Sequence, residues 1–297
     1  GGSGGEIQWN SGGTFAGAAG VRMEGGQLRL AAIAPPTPPA ASGVKLFGTN
    51  VSGRIMPAFM SPTGGVYEIQ PNFARRAIGI LRPFGNGTGL TTFGLPISAS
   101  GTATTANVAT GNVYKASRRI EYLVTTAGAD VVAGIRVTIG PFWRGDAPGF
   151  GGFHMTCRWG PATGVATPTT RAFVGLRPSA GFSDVNPSTF INMIGMGWDS
   201  GDANIQMFHN DGSGAATKID LGATFPRPTT DREKAYELSL FCPPNGSYIN
   251  YEVLDLGTGA KAIGQLTADI PVNTAFMAPT GYISVGGTSS VIGFALM

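Results

Sequence analysis

Charge is scarce in this chain. Lys, Arg, Asp and Glu together make 12% of its 297 residues, about half the usual share of a globular protein. The net charge of +3 is scattered, with Arg75-Arg76 and Arg118-Arg119 as the only basic doublets. No basic stripe alternates with aromatics, which argues against nucleic-acid binding. Histidine is scarcer still. His154 and His209 are the only two, so nucleophilic catalysis has few bases to draw on. The two cysteines, Cys157 and Cys242, form neither a CxxC pair nor a zinc spacing. Each sits in an apolar, strand-like run, which predicts buried free thiols, with a disulfide only if the strands are neighbours. No apolar run reaches about 18 residues, so no membrane-spanning helix is expected. No secretory leader is recognisable, and synthesis in a cytoplasm is expected.

Motifs that carry familiar chemistry are missing too. There is no GxSxG, no P-loop lysine and no zinc-helix motif. The glycine runs at 85–89 and 149–152 lack the strand-loop-helix context of a phosphate cradle. Helix signals are poor: no segment joins a cap, helix formers and a 3.6-residue period over three turns. Residues 72–81 are the best candidate for a short helix.

What the chain has is glycine (47), proline (21) and 42% hydrophobic residues. That mixture predicts many short strands joined by turns. Within residues 1–34, the alternations Ile7/Trp9, Val21/Met23 and Leu28/Leu30 are separated by glycine pairs. Strands this short cannot bury a core alone. Ile7, Trp9, Phe15, Val21, Leu28 and Leu30 are therefore the candidate assembly contacts of an N-terminal β-arm. Pro35, Pro36, Pro38 and Pro39 follow, and residues 35–42 read as a semi-rigid, extended linker and a domain boundary. From residue 43 to 297 no comparable linker appears. Strands are predicted at 120–125, 133–139, 152–158, 171–176, 191–196, 204–209, 217–221, 235–241, 248–254, 262–267, 281–285 and 291–296. A spacing near ten residues with turn residues between predicts an all-β sandwich or barrel. Residues 84–117, mostly small and polar, are expected to run over the surface or to contact neighbouring subunits.

The densest polar cluster is Trp198-Asp199-Ser200-Gly201-Asp202-Ala203-Asn204, followed by His209-Asn210-Asp211-Gly212-Ser213. Two loops of this kind can bind a sugar, with Trp198 stacking on the ring and Asp199, Asp202, Asn204, His209, Asn210 or Asp211 bonding hydroxyls. They can also supply oxygens to calcium. Equally, they are ordinary β-turns, where Asp, Asn and Gly belong for conformational reasons. Glycoside hydrolysis needs two carboxylates flanking the bond. Glu121, Glu237 and Glu252 are available, with Asp199 and Asp202, but none lies in a pair motif. Strand alternation puts His154 and Cys157 on opposite faces, which opposes a Cys–His pair.

The opening stretch of the chain resembles a segment found at the start of fibre and receptor-binding domains in tailed bacteriophages. Further matches run in order along the chain: Val44-Lys45-Leu46-Phe47, Gly53-Arg54-Ile55-Met56-Pro57-Ala58-Phe59, Ser61-Pro62-Thr63-Gly64-Gly65, Arg118-Arg119-Ile120-Glu121-Tyr122 and Arg171-Ala172-Phe173-Val174-Gly175-Leu176. Asn186-Pro187-Ser188-Thr189, Ile194-Gly195-Met196-Gly197, His209 to Gly214 and Asp220 to Pro226 continue them. The chain thus resembles tail-fibre or virion structural proteins over nearly its whole length, although relatives tend to continue past the last strand. The resemblance implies a concanavalin-like jelly-roll β-sandwich behind a short β-arm and Pro-rich linker. It also implies a virion surface protein that attaches to the particle through its arm and binds the bacterial surface without catalysis, cofactor or metal. A homotrimer is expected, contacting other virion proteins and host glycan, but neither nucleic acid nor a membrane interior. The alternatives are a purely structural virion component and a glycan-cleaving depolymerase.

Overall fold

The computed structural model describes residues 6–11, 14–40, 43–60, 62, 66–68 and 79–297, with side chains from residue 20 onward except 67 and 68. The chain parts into two compact units, one ending at Arg76 and one beginning at Ala77. The sequence placed the boundary at the Pro-rich stretch 35–42; by contact, the strands that follow this stretch group with the N-terminal unit.

The first unit holds two small antiparallel sheets: β1 (Glu6–Ser11), β2 (Thr14–Glu24) and β3 (Gln27–Leu30), then β4 (Lys45–Val51), β5 (Arg54–Met60) and β6 (Val66–Glu68). Gly25 and Gly26, both at positive φ, close the β2–β3 hairpin. That is the backbone a two-residue hairpin demands. Phe47, Ala58 and Met60 make a minimal core with Val66. Such sheets cannot cover both faces, so Met23, Leu28, Leu46 and Ile55 stay about half exposed. Of the expected assembly contacts, Leu28 is exposed and Val21 and Leu30 are half-buried. Ile7, Trp9 and Phe15 lie on β1 and β2, but their side chains fall outside the described residues.

The second unit begins with a ribbon of β7 (Ile80–Pro83) and β8 (Leu90–Phe93). Ile80 and Leu81 are thus strand, against the expected helix; residues 72–78 of that segment lie outside the described residues. The strands β9 (Ile97–Ser100) and β10 (Thr102–Thr104), the short helix α1 (Val113–Ala116), β11 (Ile120–Gly128) and β12 (Val132–Val137) follow. Then come β13 (Phe153–Thr163), β14 (Arg171–Arg177), β15 (Met193–Trp198), β16 (Gln206–Asn210) and β17 (Thr217–Asp220). The chain ends with β18 (Tyr236–Cys242), β19 (Ile249–Asp255), β20 (Lys261–Leu266), β21 (Ala278–Ser284) and β22 (Ser290–Leu296).

These strands form an all-β, jelly-roll-like sandwich of two seven-stranded antiparallel sheets. The back sheet runs β10-β11-β22-β13-β18-β19-β20 and the front sheet β17-β16-β15-β14-β21-β12-β9. Residues 84–117 were expected on the surface. They are mostly exposed or half-buried, as expected, and also contribute an edge strand to each sheet: β9 pairs with β12 and β10 with β11. Those strands read Ile-Ser-Ala-Ser and Thr-Ala-Thr, too short and small to show an apolar alternation, yet an edge needs little more.

Between the sheets lies one large core. Trp159 sits at its centre, with ring centroids 6.0 Å from Trp198, 5.6 Å from Tyr236 and 5.9 Å from Phe294. Its indole Nε1 donates to Met196 Sδ. A smaller apolar layer covers the outer side of the front sheet, where Phe173, Met193, Phe208 and Tyr282 pack under Phe182 and Phe190. Both latter rings belong to the strap 178–192 between β14 and β15. On the back sheet, Cys157 pairs in register with Leu238 and Cys242 with Phe153. The two thiols are therefore four residues apart along the strand, about 13 Å, beyond the span of a disulfide, and both are free. His154 points to the outer face, edge-on to Phe241, and Cys157 toward the core side, as strand alternation required.

Candidate functional site

The two polar loops singled out from sequence sit at opposite ends of one hairpin. β15 and β16 pair Gly197 with Gln206 at one end and Met193 with Asn210 at the other, about 13–17 Å apart. They do not form a single site.

At the first end, Trp198 is fully buried. It completes the inward alternation Ile194, Met196, Trp198, and its Nε1 donates to the Thr170 carbonyl at 3.1 Å. Stacking on a sugar is therefore ruled out for Trp198, which corrects the expectation. Asp199 is buried as well. Its carboxylate accepts from Ser188 N at 3.1 Å and from Lys218 Nζ at 3.0 Å, and Lys218 also pairs with Asp202. The Lys218 ammonium thus occupies the space between the two carboxylates where a cation would sit. Asn204 donates to Asp220. This loop spends its polar groups on itself.

At the second end, His209 and Asn210 are buried and Asp211 is half-buried. The organiser is a residue the sequence did not point to, Asp269, in the loop after β20. Its carboxylate accepts from Asp211 N at 3.0 Å, Thr217 N at 3.2 Å and Thr217 Oγ1 at 2.6 Å. Its carbonyl accepts from His209 Nδ1 at 2.8 Å, which fixes the proton on that nitrogen. Burial works against the charge of Asp269. The Thr217 and Asp211 hydrogen bonds and the nearby His209 outweigh it and hold the carboxyl below the usual range.

Beside this turn, three loops converge into a platform. Arg144, between β12 and β13, donates to the Gly246 carbonyl from Nε (3.0 Å) and Nη2 (2.6 Å) and to the Pro271 carbonyl from Nη1 (2.7 Å). One planar guanidinium thereby ties the β12–β13, β18–β19 and β20–β21 loops together. Gly145 N donates to Asn273 O, and Asn245 N to Arg144 O and Phe150 O. Val272 N reaches Asn192 Oδ1 at 3.0 Å, which joins the platform to the 191–192 corner. Gly145, Gly151 and Gly152 all take positive φ, and a Cβ on Gly145 would lie within 3 Å of the Phe150 carbonyl. The loops are thus packed backbone against backbone.

On this support Trp143 and Phe276 stack, with centroids 5.1 Å apart and planes 24° from parallel. Phe276 is 58% exposed and Phe150 59%. Ile139 and Val272 are exposed nearby. Large aromatics held open to solvent by a rigid frame, next to Asp, Asn and backbone polar groups, are suited to a ligand with an apolar face and a hydroxyl rim. Sequence inspection missed this pair because it lies in loops with no periodicity. The run Pro141-Phe142-Trp143-Arg144-Gly145, aromatics and an arginine amid turn residues, was the available signal.

The candidate carboxylates are each neutralised. Glu121 is buried against Arg119 and Arg232, Glu237 pairs with Arg158 at 2.6 Å, and Glu252 with Lys261 at 2.9 Å. Among the described residues no group of three or more His, Cys, Asp or Glu is placed to hold a metal. A cavity of about 160 Å³ lies between the sheets, lined by Leu81, Leu95, Ile135, Met155, Cys157 and Phe294 among others.

The architecture defines a jelly-roll β-sandwich. Among solved structures the chain is similar to peanut lectin, with 10% identity over 74% of this chain and 96% of the lectin at a TM-score of 0.45. It is similar to arcelin-5, a lectin-like defense protein from Phaseolus vulgaris (10% identity, 68% and 92% covered, TM-score 0.42). A carbohydrate esterase from the Shiga toxin-encoding bacteriophage phi24B also aligns (16%, 68% and 89%, TM-score 0.38). No protein-family model and no curated protein sequence matches. Values this low leave the function to be argued from the chain's own residues.

Proposed function

We propose that the chain is a virion surface protein of the tail-fibre type, whose sandwich binds glycan on the bacterial surface by passive recognition. The observation that carries this reading is the Trp143–Phe276 pair, stacked on three loops locked by Arg144, with Phe276 exposed and Trp143 half-buried beneath it. A preorganised aromatic surface meets a sugar ring without paying to order itself. Binding without turnover is favoured because Glu121, Glu237 and Glu252 each carry a basic partner. The in-order resemblance of the sequence to phage fibre proteins supplies the virion setting. Assembly as a homotrimer through the N-terminal unit is part of the proposal. It rests on Met23, Leu28, Leu46 and Ile55, apolar residues exposed there that copies of the chain can cover.

The test is adsorption of the purified protein to the host bacterium of the phage that carries it. Trp143→Ala and Phe276→Ala should each weaken binding about tenfold or more, the loss typical of an aromatic anchor. A folded protein that binds no cells would favour the purely structural role. Released oligosaccharide would favour the depolymerase.

A further inference from the structure

We infer that the outer face of the front sheet, beneath the strap 178–192, contains an oxyanion-binding site formed by Arg136 and Arg177. This goes beyond the aromatic platform and does not depend on it. Pairing in the sheet sets Arg136 opposite Thr280, Thr280 opposite Gly175 and Arg177 opposite Ala278. Arg136 and Arg177 therefore lie diagonally across β21 on one face, with Thr280 between them and Gly175 adding no side chain beside Arg177. Arg177 is only 5% exposed. Its Nη2 donates to the Gly181 carbonyl at 3.0 Å, while its Nη1 is buried with no partner. Arg136 Nε and Tyr282 Oη, on the same face, are likewise buried without partners.

Buried donors are almost always satisfied, and a buried cation ordinarily has a counter-charge. Here, among the described residues, no carboxylate lies within ion-pair distance of either arginine. Asp184 is taken by Arg171, and Asp199 by Lys218. The strap offers ring faces instead: Phe190 lies 4.1 Å from the Arg177 guanidinium and Phe182 lies 5.8 Å from that of Arg136. Burial, and the neighbouring charge of Arg136, lower the Arg177 pKa against an opposing contribution from Tyr282, and the guanidinium stays charged. A planar or tetrahedral oxyanion supplies what both arginines lack, and guanidinium forks match its geometry. The ligand chemistry is a carboxylate, as on an acidic sugar, or a phosphate or sulfate ester.

The experiment is isothermal titration of the full chain with glucuronate, glucose 6-phosphate and glucose, at fixed ionic strength. Saturable binding of glucuronate or glucose 6-phosphate, with glucose silent, is expected; which of the two binds tells carboxylate from phosphate. Arg177→Met should lose at least tenfold in affinity. Arg136→Gln, at a half-buried position, should lose a similar factor, whereas Trp143→Ala should leave this binding unchanged. If neither anion binds, or if both arginine variants bind as tightly as the parent, the inference is overturned.

Discussion

Replacing Glu121 with leucine should unfold the sandwich at a markedly lower temperature. Glu121 faces out from β11 but is 2% exposed. Its carboxylate accepts from Tyr114 Oη at 2.9 Å, Arg119 Nε at 3.0 Å and Arg232 Nη2 at 2.8 Å. It thereby joins α1, the start of β11 and the loop before β18. Leucine fills the space but leaves Arg119, whose side chain is 6% exposed, as a buried cation without its counter-charge. Breaking a buried pair in this way costs about 3–5 kcal/mol. In a unit of this size each kcal/mol moves the midpoint by about 2–4 °C. The expected fall is about 6–20 °C by scanning calorimetry. Arg232→Ala, with a side chain 37% exposed, should cost only about 1 kcal/mol after solvent screening. Burial opposes the charge of Glu121, but the Arg232 and Arg119 hydrogen bonds prevail and hold its carboxyl below the usual range. Its stabilising effect is therefore full above the ordinary carboxyl pKa and fades as pH falls through the lowered value. Glu121→Gln should flatten that part of the acid limb. A loss under about 1 kcal/mol for the leucine variant, or an unchanged acid limb for Glu121→Gln, would show that Glu121 does not hold Arg119 and Arg232 in this way.

Further outcomes follow from the same contacts. Arg144→Lys, which cannot span both Gly246 and Pro271 with a planar fork, should speed amide exchange in the three platform loops while leaving β13 and β18 protected; uniform protection would contradict the pinning role. Burial raises the phenols of Tyr114, Tyr236 and Tyr282. Folded-state stability should then be full below the ordinary phenol value of 10.0 and decline above it, and the three phenolates should appear by absorbance only as the chain unfolds. Burial, with Glu237 nearby, pushes the Cys157 thiol up to about 12, and burial pushes Cys242 up to about 11. Both should resist alkylation near pH 8 until denaturant is added, and fast labelling of the native protein would count against this packing.

Much of the sandwich was readable in advance because its strands alternate. Ile292, Phe294 and Leu296 bury every second side chain of β22, and Ile249, Tyr251 and Val253 do the same in β19. Where alternation fails, so does the reading. β9 and β10 are built of Ser, Ala and Thr around a single isoleucine, and their strand character comes from the neighbours that they pair with. Trp198 shows the opposite case. The run Ile194-Gly195-Met196-Gly197-Trp198 already placed its ring inward, but the Asp and Asn residues after it drew the eye toward a loop. The site was less legible than the fold. Trp143 and Phe276 are 133 residues apart in number and meet because the bridge between Phe142 and Met277 pairs their loops and Arg144 fastens the same loops through Pro271. Asp269, which organises the His209–Asp211 turn, lies 58 residues from Asp211. No local pattern encodes such a meeting.

Binding of the bacterial surface by the loop platform is the part of the proposal most open to direct test. The most direct measurement is competition of phage adsorption by the purified protein, parent against Trp143→Ala, with both shown to be folded. Dose-dependent blocking by the parent and at least a tenfold weaker effect from the variant are expected. Equal blocking by both, or none by either, would contradict the proposal.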